Sequence, residues 1–203
     1  MHKIEKLPPA FKRHRKMGGV LDFAIFEDAD GGEEEILSAI SAAYGFDTEK
    51  LRTLGSRQIN DRAFFGDWYD RETGSLIQRG SWTTADGRKL ENPPLKTTEG
   101  MQLVSGAAPC PEAGSGGQFA YAFLSPPYPI RARPREVQAA FEEIRDFILP
   151  PLHWHEILDW TSPRLGEVSD YFRMGMEWWG VFLFSIHVPA LRRLTIIVGS
   201  ATN

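Results

Sequence analysis

Two histidines separated by a single residue are the side chains in this sequence best suited to chemistry. His153 and His155 stand in the run His-Trp-His-Glu at residues 153 to 156. In an extended strand, alternate side chains project from the same face, which would place the two imidazoles side by side. Neutral imidazole nitrogens are common ligands of zinc and related divalent metals. The spacing therefore permits a metal site, and a metal-dependent, hydrolase-like enzyme is one hypothesis for this chain.

Two ligands are too few for such a site, so a third would have to come from elsewhere in the chain. The candidates for this third ligand are Asp170, Glu177 and His187. The sequence fixes none of them in space. On the alternative interpretation, neighbouring apolar side chains pack into the core, and His153 and His155 are edge or surface residues.

Aromatic side chains are concentrated near the C-terminus and are interleaved with acids. The residues that we assign to a candidate binding surface are Trp154, Trp160, Asp170, Tyr171, Glu177 and Trp179. Aromatic rings with a polar edge are favoured at protein interfaces, and the acids around them suit a basic partner. The alternative is that these rings fill the core of a twisted sheet.

Other catalytic and cofactor signatures are missing from the sequence. There is no Gly-x-Ser-x-Gly nucleophile element. The glycines at residues 114 to 117 are not followed by the lysine of a phosphate-binding loop. Cys110 has no lysine or arginine within twelve residues on either side that would activate its thiol. We therefore predict no cofactor.

The composition predicts one domain with an acidic body. The 203 residues are 42% hydrophobic and 25% charged, which is enough for one large core. The first sixteen residues carry six lysines and arginines against Glu5 alone, although the net charge of the whole chain is −4. An acidic body does not suit phosphate binding, so nucleic acid is not an expected partner.

No targeting segment or membrane segment is expected. The basic residues near the N-terminus are not followed by the apolar run of a signal peptide. The longest apolar run, residues 178 to 186, is too short to span a bilayer. A single cysteine fits a reducing compartment. We expect a cytoplasmic protein without a membrane partner.

A β-hairpin at the C-terminus is the most strongly patterned element. Every second side chain from residue 178 to residue 188 is apolar or glycine, and the returning arm at residues 194 to 198 is apolar on both faces. A strand that is apolar on both faces lies inside a sheet rather than at its edge. The hairpin is therefore predicted to be central.

The remaining pattern predicts helices between groups of strands. Helical spacing of apolar residues indicates helices at residues 33 to 43 and 134 to 149. Turn residues and alternation indicate hairpins at residues 63 to 90 and strands at residues 118 to 124 and 152 to 160. This order predicts an α+β fold, mainly antiparallel sheet with the C-terminal hairpin at its centre, packed against two or three helices.

The predicted domain organisation is simple. Residues 1 to 19 are expected to form an irregular basic arm, since Pro8 and Pro9 interrupt them. Residues 20 to 203 are expected to form a single α+β domain. Within it, residues 105 to 117 are rich in glycine, alanine and proline and are expected to form a flexible loop.

The functional hypothesis that we prefer from the sequence is a non-enzymatic, cytoplasmic protein that binds another protein through the aromatic and acidic surface. A small acidic chain without a catalytic motif fits an inhibitor, or an immunity-like protein that neutralises a bacterial toxin. The alternative is the metal-dependent enzyme that uses His153 and His155. The sequence indicates neither the identity of the partner nor the oligomeric state.

Overall fold

A six-stranded antiparallel sheet forms the centre of the computed structural model of this chain. The structure describes residues 1 to 107, 118 to 176 and 179 to 200. The strands are β1 (His2–Lys3), β2 (Asp22–Glu27), β3 (Arg57–Ile59), β4 (Tyr69–Asp70), β5 (Ser75–Leu76), β6 (Ser81–Thr84), β7 (Lys89–Glu91), β8 (Leu103–Ala107), β9 (Glu156–Asp159), β10 (Val181–Val188) and β11 (Arg193–Ser200). The helices are α1 (Pro9–Lys16), α2 (Glu33–Tyr44), α3 (Thr48–Leu54), α4 (Asp61–Phe65), α5 (Phe119–Leu124), α6 (Pro134–Ile148) and α7 (Arg173–Met176).

The large sheet has the strand order β1, β2, β11, β10, β9, β3, and its neighbouring strands are antiparallel. β10 and β11 pair along their whole length and occupy the two central positions. The predicted α+β fold with a central C-terminal hairpin is therefore confirmed. Two small antiparallel sheets, β4 with β5 and β7-β6-β8, lie between α4 and α5 in the sequence.

Helices cover both faces of the large sheet. On one face, apolar side chains of α1, α4, α5 and α6 pack with Phe182, Phe184 and Ile186 of β10. On the other face, side chains of α2 and α3 pack with Val181 and Leu183. Because successive side chains of a strand point to opposite faces, β10 contributes to both layers of the core. This explains why the arms of the hairpin contain so few polar residues.

The two longest helices have the bounds that their apolar periodicity predicts. α2 ends at Gly45, which has a φ of 67° and so adopts the left-handed conformation that commonly terminates a helix. α6 begins with Pro134 in its first turn, where proline fits a helix well. Both helices bury an apolar side, and α6 exposes a charged side, whereas α2 is charged only in its first turn.

The prediction of an irregular arm at residues 1 to 19 is wrong for residues 9 to 16, which form α1. Pro9 occupies the first turn of this helix and therefore starts it rather than breaking it. Ala10, Phe11 and His14 form a buried side, whereas the lysines and arginines between them are exposed. Because four of the eight residues of α1 are lysines or arginines, the apolar periodicity is too weak to read from the sequence.

Residues 118 to 124, predicted as a strand, form α5 instead. Alternating aromatic and alanine residues suggested a strand with two different faces. In the structure, all five residues from Phe119 to Phe123 are buried. A helix that is buried on all sides carries no periodic signal, so the alternation was misleading. Phe64 and Phe65, assigned to the hairpin region, likewise belong to a short helix, α4.

Several predictions fall on parts of the chain outside the described ranges. Most of the predicted flexible loop lies there, since only residues 105 to 107 are described, as the end of β8. Cys110, Glu177 and Trp178 also lie outside the described residues. Among the helices that are described, none has the length and apolar character needed to cross a membrane.

Candidate functional site

The two predicted metal-binding histidines lie on a segment that leads into a strand. β9 begins only at Glu156, so the predicted strand at residues 152 to 160 is correct for residues 156 to 159 alone. The preceding residues form a turn in which the backbone N–H of His153 donates to the carbonyl of Pro150 at 3.0 Å. His153 and His155 therefore do not share one face of a regular strand.

The ring of His155 makes two polar contacts. Its Nε2 lies 2.8 Å from Oδ1 of Asp61, and its Nδ1 lies 3.3 Å from the carbonyl oxygen of His153. A carboxylate and a carbonyl both accept hydrogen bonds and cannot donate them, so only the doubly protonated imidazolium satisfies both contacts. The hydrogen bond to Asp61 raises the pKa of His155, and the same bond lowers the pKa of Asp61. His155 and Asp61 therefore form a hydrogen-bonded pair in which each favours the charged form of the other.

Both ring nitrogens of His155 therefore lie next to oxygen atoms of this chain. Of the candidate third ligands, His187 is buried and contacts a backbone carbonyl, and Asp170 pairs with Arg173 at 3.1 Å. Glu177 lies outside the described residues. Within the described part of the chain, no three His, Cys, Asp or Glu side chains are placed to hold a metal ion.

A crevice of about 360 Å³ opens beside the His155–Asp61 pair. The residues that line it are Asp61, Phe65, Tyr69, Arg71, Arg145, Asp146, Leu149, Pro151 and His155. Asp61 is the first residue of α4, and this helix is capped by Asn60, whose side chain accepts from the backbone N–H of Ala63 at 2.9 Å. The cap fixes where Asp61 begins the helix and hence where its carboxylate lies.

Arg145 joins α6 to β4 across this crevice. Its Nη1 donates to Oη of Tyr69 at 2.7 Å, and its Nε donates to Oδ1 of Asp146 at 2.8 Å. The Arg145 side chain is 22% exposed and is held in place by these bonds. Arg71, in contrast, is 57% exposed, and its Nη2 lies 3.7 Å from Oδ2 of Asp61, which is too long for a hydrogen bond. The crevice thus holds one fixed guanidinium and one that remains free to move.

Two large apolar side chains project into solvent from the segment that borders the crevice. Leu152 is 93% exposed and Trp154 is 67% exposed. They alternate with Pro151 and His155, whose side chains line the crevice. Tryptophan is usually buried to a large extent because its side chain is so large and apolar. An exposed leucine and tryptophan on one short segment are therefore candidates for contact with a partner.

Two tryptophans of the predicted binding surface belong to the core instead. Trp160 is 1% exposed and donates from Nε1 to Oγ of Ser185 at 2.9 Å. Trp179 is 4% exposed and donates from Nε1 to the carbonyl of Ser125 at 2.7 Å. The two rings lie in the separate apolar clusters on opposite faces of the sheet. The prediction that they form one surface with Trp154 is wrong, because the sheet separates them.

The remaining members of the predicted surface are dispersed. Asp170 is exposed and paired with Arg173, three residues along the chain. Tyr171 is half-buried, with its ring 5.8 Å from that of Phe46, and burial raises its pKa to about 12. Glu177 is not among the described residues. Of the six predicted binding residues, Trp154 alone combines a large aromatic ring with high exposure within the described ranges.

Sequence reasoning missed four residues of the crevice: Asp61, Tyr69, Arg71 and Arg145. Asp61 is 94 residues from His155, and Tyr69 is 76 residues from Arg145. No spacing rule relates residues so far apart. The helical periodicity around Arg145 gives no indication of the tyrosine that it meets. The one local signal is Asn60-Asp61 at the start of a helix.

Comparisons of this chain with protein-family models, with curated proteins and with solved structures found no match. The function is therefore inferred from the geometry of the His155 crevice and of the exposed segment beside it.

The substitution Asp61→Asn tests the hydrogen-bonded pair of His155 and Asp61. It removes the negative charge and nearly preserves the size of the side chain, so we expect the pKa of His155 to fall towards its ordinary value of 6.5. A pH titration of the His155 ring signals by NMR measures this shift. Asp70→Asn is the matched control, because the Asp70 carboxylate bonds locally to Thr73. An unchanged His155 pKa in Asp61→Asn would contradict the pairing.

The same pair predicts a pH dependence of stability. The pKa of His155 is raised in the folded state, so its stabilisation is present below the unfolded pKa and is lost as the pH rises through the folded pKa. Because both side chains are partly exposed, the contribution is roughly 0.5 to 1 kcal/mol. The stability difference between the wild type and Asp61→Asn is therefore expected to be larger at about pH 5.5 than above the folded pKa.

Proposed function

We propose that this chain is a non-enzymatic, cytoplasmic binding protein that contacts another protein through the segment at residues 150 to 155, with Trp154 as the principal anchor. The observation that carries the proposal is the 67% exposure of Trp154 beside a charged crevice. Most of the binding energy of a protein interface comes from a few residues, and tryptophan is enriched among them. An inhibitor or an immunity-like protein would act in this way without catalytic residues.

The shape of the segment supports this role. Pro150 and Pro151 restrict its backbone, the N–H of His153 closes a turn onto Pro150, and His155 fixes its far end to Asp61. A segment that is already held in one conformation loses less entropy when it binds. Leu152 and Trp154 are thus exposed on a backbone that is restrained at both ends.

The occupied ring of His155 favours binding over the metal-dependent alternative. A metal ligand needs a free nitrogen lone pair, and a general base needs the same. Both nitrogens of His155 face oxygen acceptors instead. The same two contacts hold residues 150 to 155 in position.

The substitution Trp154→Ala tests the proposal. A photo-crosslinking amino acid at Leu152, expressed in cells of the source organism, would identify the partner, and titration calorimetry would then give its affinity. We expect Trp154→Ala to weaken binding by about 30-fold or more, which corresponds to about 2 kcal/mol. Tyr128→Ala is the control, since Tyr128 is 54% exposed in a different loop, and it should change the affinity less than about twofold.

Two outcomes would contradict the binding proposal. One is an unchanged affinity in Trp154→Ala with the fold retained. The other is binding of about one equivalent of zinc by the purified chain that is lost in His155→Ala, which would favour the metal-dependent alternative.

A further inference from the structure

We infer that the crevice bordered by Pro151 and His155 binds a single carboxylate, so that the partner presents an aspartate, a glutamate or a C-terminal carboxylate next to the apolar group that contacts Trp154. The statement about the partner rests on the proposed function. The carboxylate site itself does not, because it is formed entirely by residues of this chain.

The crevice contains one more cationic side chain than it has carboxylates when His155 is protonated. Each of its two carboxylates already has a cationic partner: Asp61 is bonded to His155, and Asp146 is bonded to Arg145. Arg71 is the additional cation, and it lies 3.7 Å from Asp61. When His155 is protonated, one further carboxylate would balance the charges of the lining residues. A guanidinium binds a carboxylate well because two of its parallel N–H groups can donate to the two oxygens.

The arginines of the crevice have N–H groups that remain available to a ligand. The contacts of Arg145 with Tyr69 and Asp146 engage Nη1, Nε and Nη2, which leaves two of the five N–H donors of its guanidinium. Arg71 is 57% exposed and can turn towards a ligand. Apolar side chains of Phe65 and Leu149 form part of the wall, and such surroundings strengthen an ionic contact relative to water.

The small volume of the crevice and its limited positive charge favour a ligand with a single negative charge. A volume of about 360 Å³ accommodates a side chain rather than a helix. The adjoining crevice, of about 680 Å³, shares Arg71 and adds two arginines and three acids, so it adds no further positive charge. These added residues are Arg62, Arg79, Asp67, Asp70 and Glu72. A doubly charged phosphate would remain uncompensated here, whereas a carboxylate would not.

The test uses the full chain and small probes in place of the partner. N-acetylglutamate α-methylamide, whose single charge is its γ-carboxylate, is titrated at constant ionic strength and about pH 6 while the Nε signal of Arg145 and the backbone amide signals of Arg71 and His155 are followed by NMR. We expect saturable shifts with a Kd on the order of millimolar. N-acetylglutamine α-methylamide has the same shape without the charge and should bind at least about tenfold more weakly.

Two arginine variants complete the experiment. Arg71→Gln should weaken the binding of N-acetylglutamate α-methylamide by about tenfold, whereas Arg131→Gln, which removes another exposed arginine distant in sequence, should leave it unchanged. Equal responses to both probes, equal losses in both variants, or binding of inorganic sulfate, a dianion at this pH, at least as tight as that of N-acetylglutamate α-methylamide would overturn the inference. Because no partner is present, these results are independent of the Trp154→Ala test.

Discussion

Phe184→Ala is expected to lower the free energy of unfolding by about 3 to 5 kcal/mol, as is usual when a fully buried phenylalanine is truncated. Phe184 is completely buried at the middle of β10, one of the two central strands. Its ring meets that of Phe64 edge-on at 5.1 Å and lies 6.5 Å from that of Phe182. The substitution would leave a cavity between the sheet and α4, which the surrounding helices can fill only in part.

Urea denaturation of the two proteins measures this loss directly. Trp154→Ala serves as the matched control, because it also truncates a large aromatic side chain but at an exposed position. We expect it to change the stability by no more than about 0.5 kcal/mol. If Phe184→Ala were as stable as the wild type, the face of β10 that packs against α4 and α6 would not be core.

Acidification is expected to destabilise the protein by about 3 kcal/mol through His14 alone. His14 is 1% exposed, and its ring stacks on that of Phe123 at 4.2 Å. Its Nε2 has no hydrogen-bond partner among the described residues. Gly19 covers this nitrogen so closely that an added Cβ would lie 2.1 Å from it. Burial in these surroundings lowers the pKa of His14 from 6.5 to about 4.

The sign of the effect follows from the direction of the shift. Between these two pKa values the unfolded chain binds a proton at this histidine and the folded chain does not, so protons favour unfolding. The free energy of unfolding is therefore not reduced by His14 above about pH 6.5. It decreases as the pH falls from about 6.5 towards about 4. This is opposite to the dependence expected for the His155–Asp61 pair, whose stabilisation is lost as the pH rises.

A variant without a titratable group isolates the contribution of His14. In His14→Leu, the ring is replaced by an apolar side chain, and the carboxylates that also titrate in acid are unchanged. We therefore expect the stability of the wild type relative to His14→Leu to fall by about 3 kcal/mol between about pH 7 and pH 4. Phe11→Leu, at another buried position of α1 that has no titratable group, is the control and should differ from the wild type by an amount that does not depend on pH. A difference between the wild type and His14→Leu that is independent of pH would contradict the low pKa of the buried ring.

The elements that were predicted correctly have a sequence pattern that matches which of their sides are buried. α6 has one buried side and one charged side, so its apolar residues recur at helical spacing. β10 and β11 are apolar on both faces because they lie between two layers of helices. In contrast, α5 is buried on every side and has no period to detect. α1 was missed for the converse reason, because its short apolar side is hidden among lysines and arginines.

The sequence by itself determined the class of the fold, the central position of the hairpin, and the positions of α2 and α6, because these depend on periodicities within a few turns or one strand. It did not determine which tryptophans are buried. Trp154 and Trp160 are six residues apart and each stands between two polar residues, yet one is 67% exposed and the other 1%. Burial is decided by side chains from distant parts of the chain, which only the folded structure brings together.

The composition of the candidate site also depends on residues that are distant in the sequence. Only the tertiary structure places Asp61 against His155 and Tyr69 against Arg145, since these pairs are separated by 94 and 76 residues. The sequence supplied the histidine, but its chemistry depends on what its two ring nitrogens meet. Both nitrogens lie next to oxygen atoms in the folded chain, and the spacing of His153 and His155 gave no indication of this arrangement.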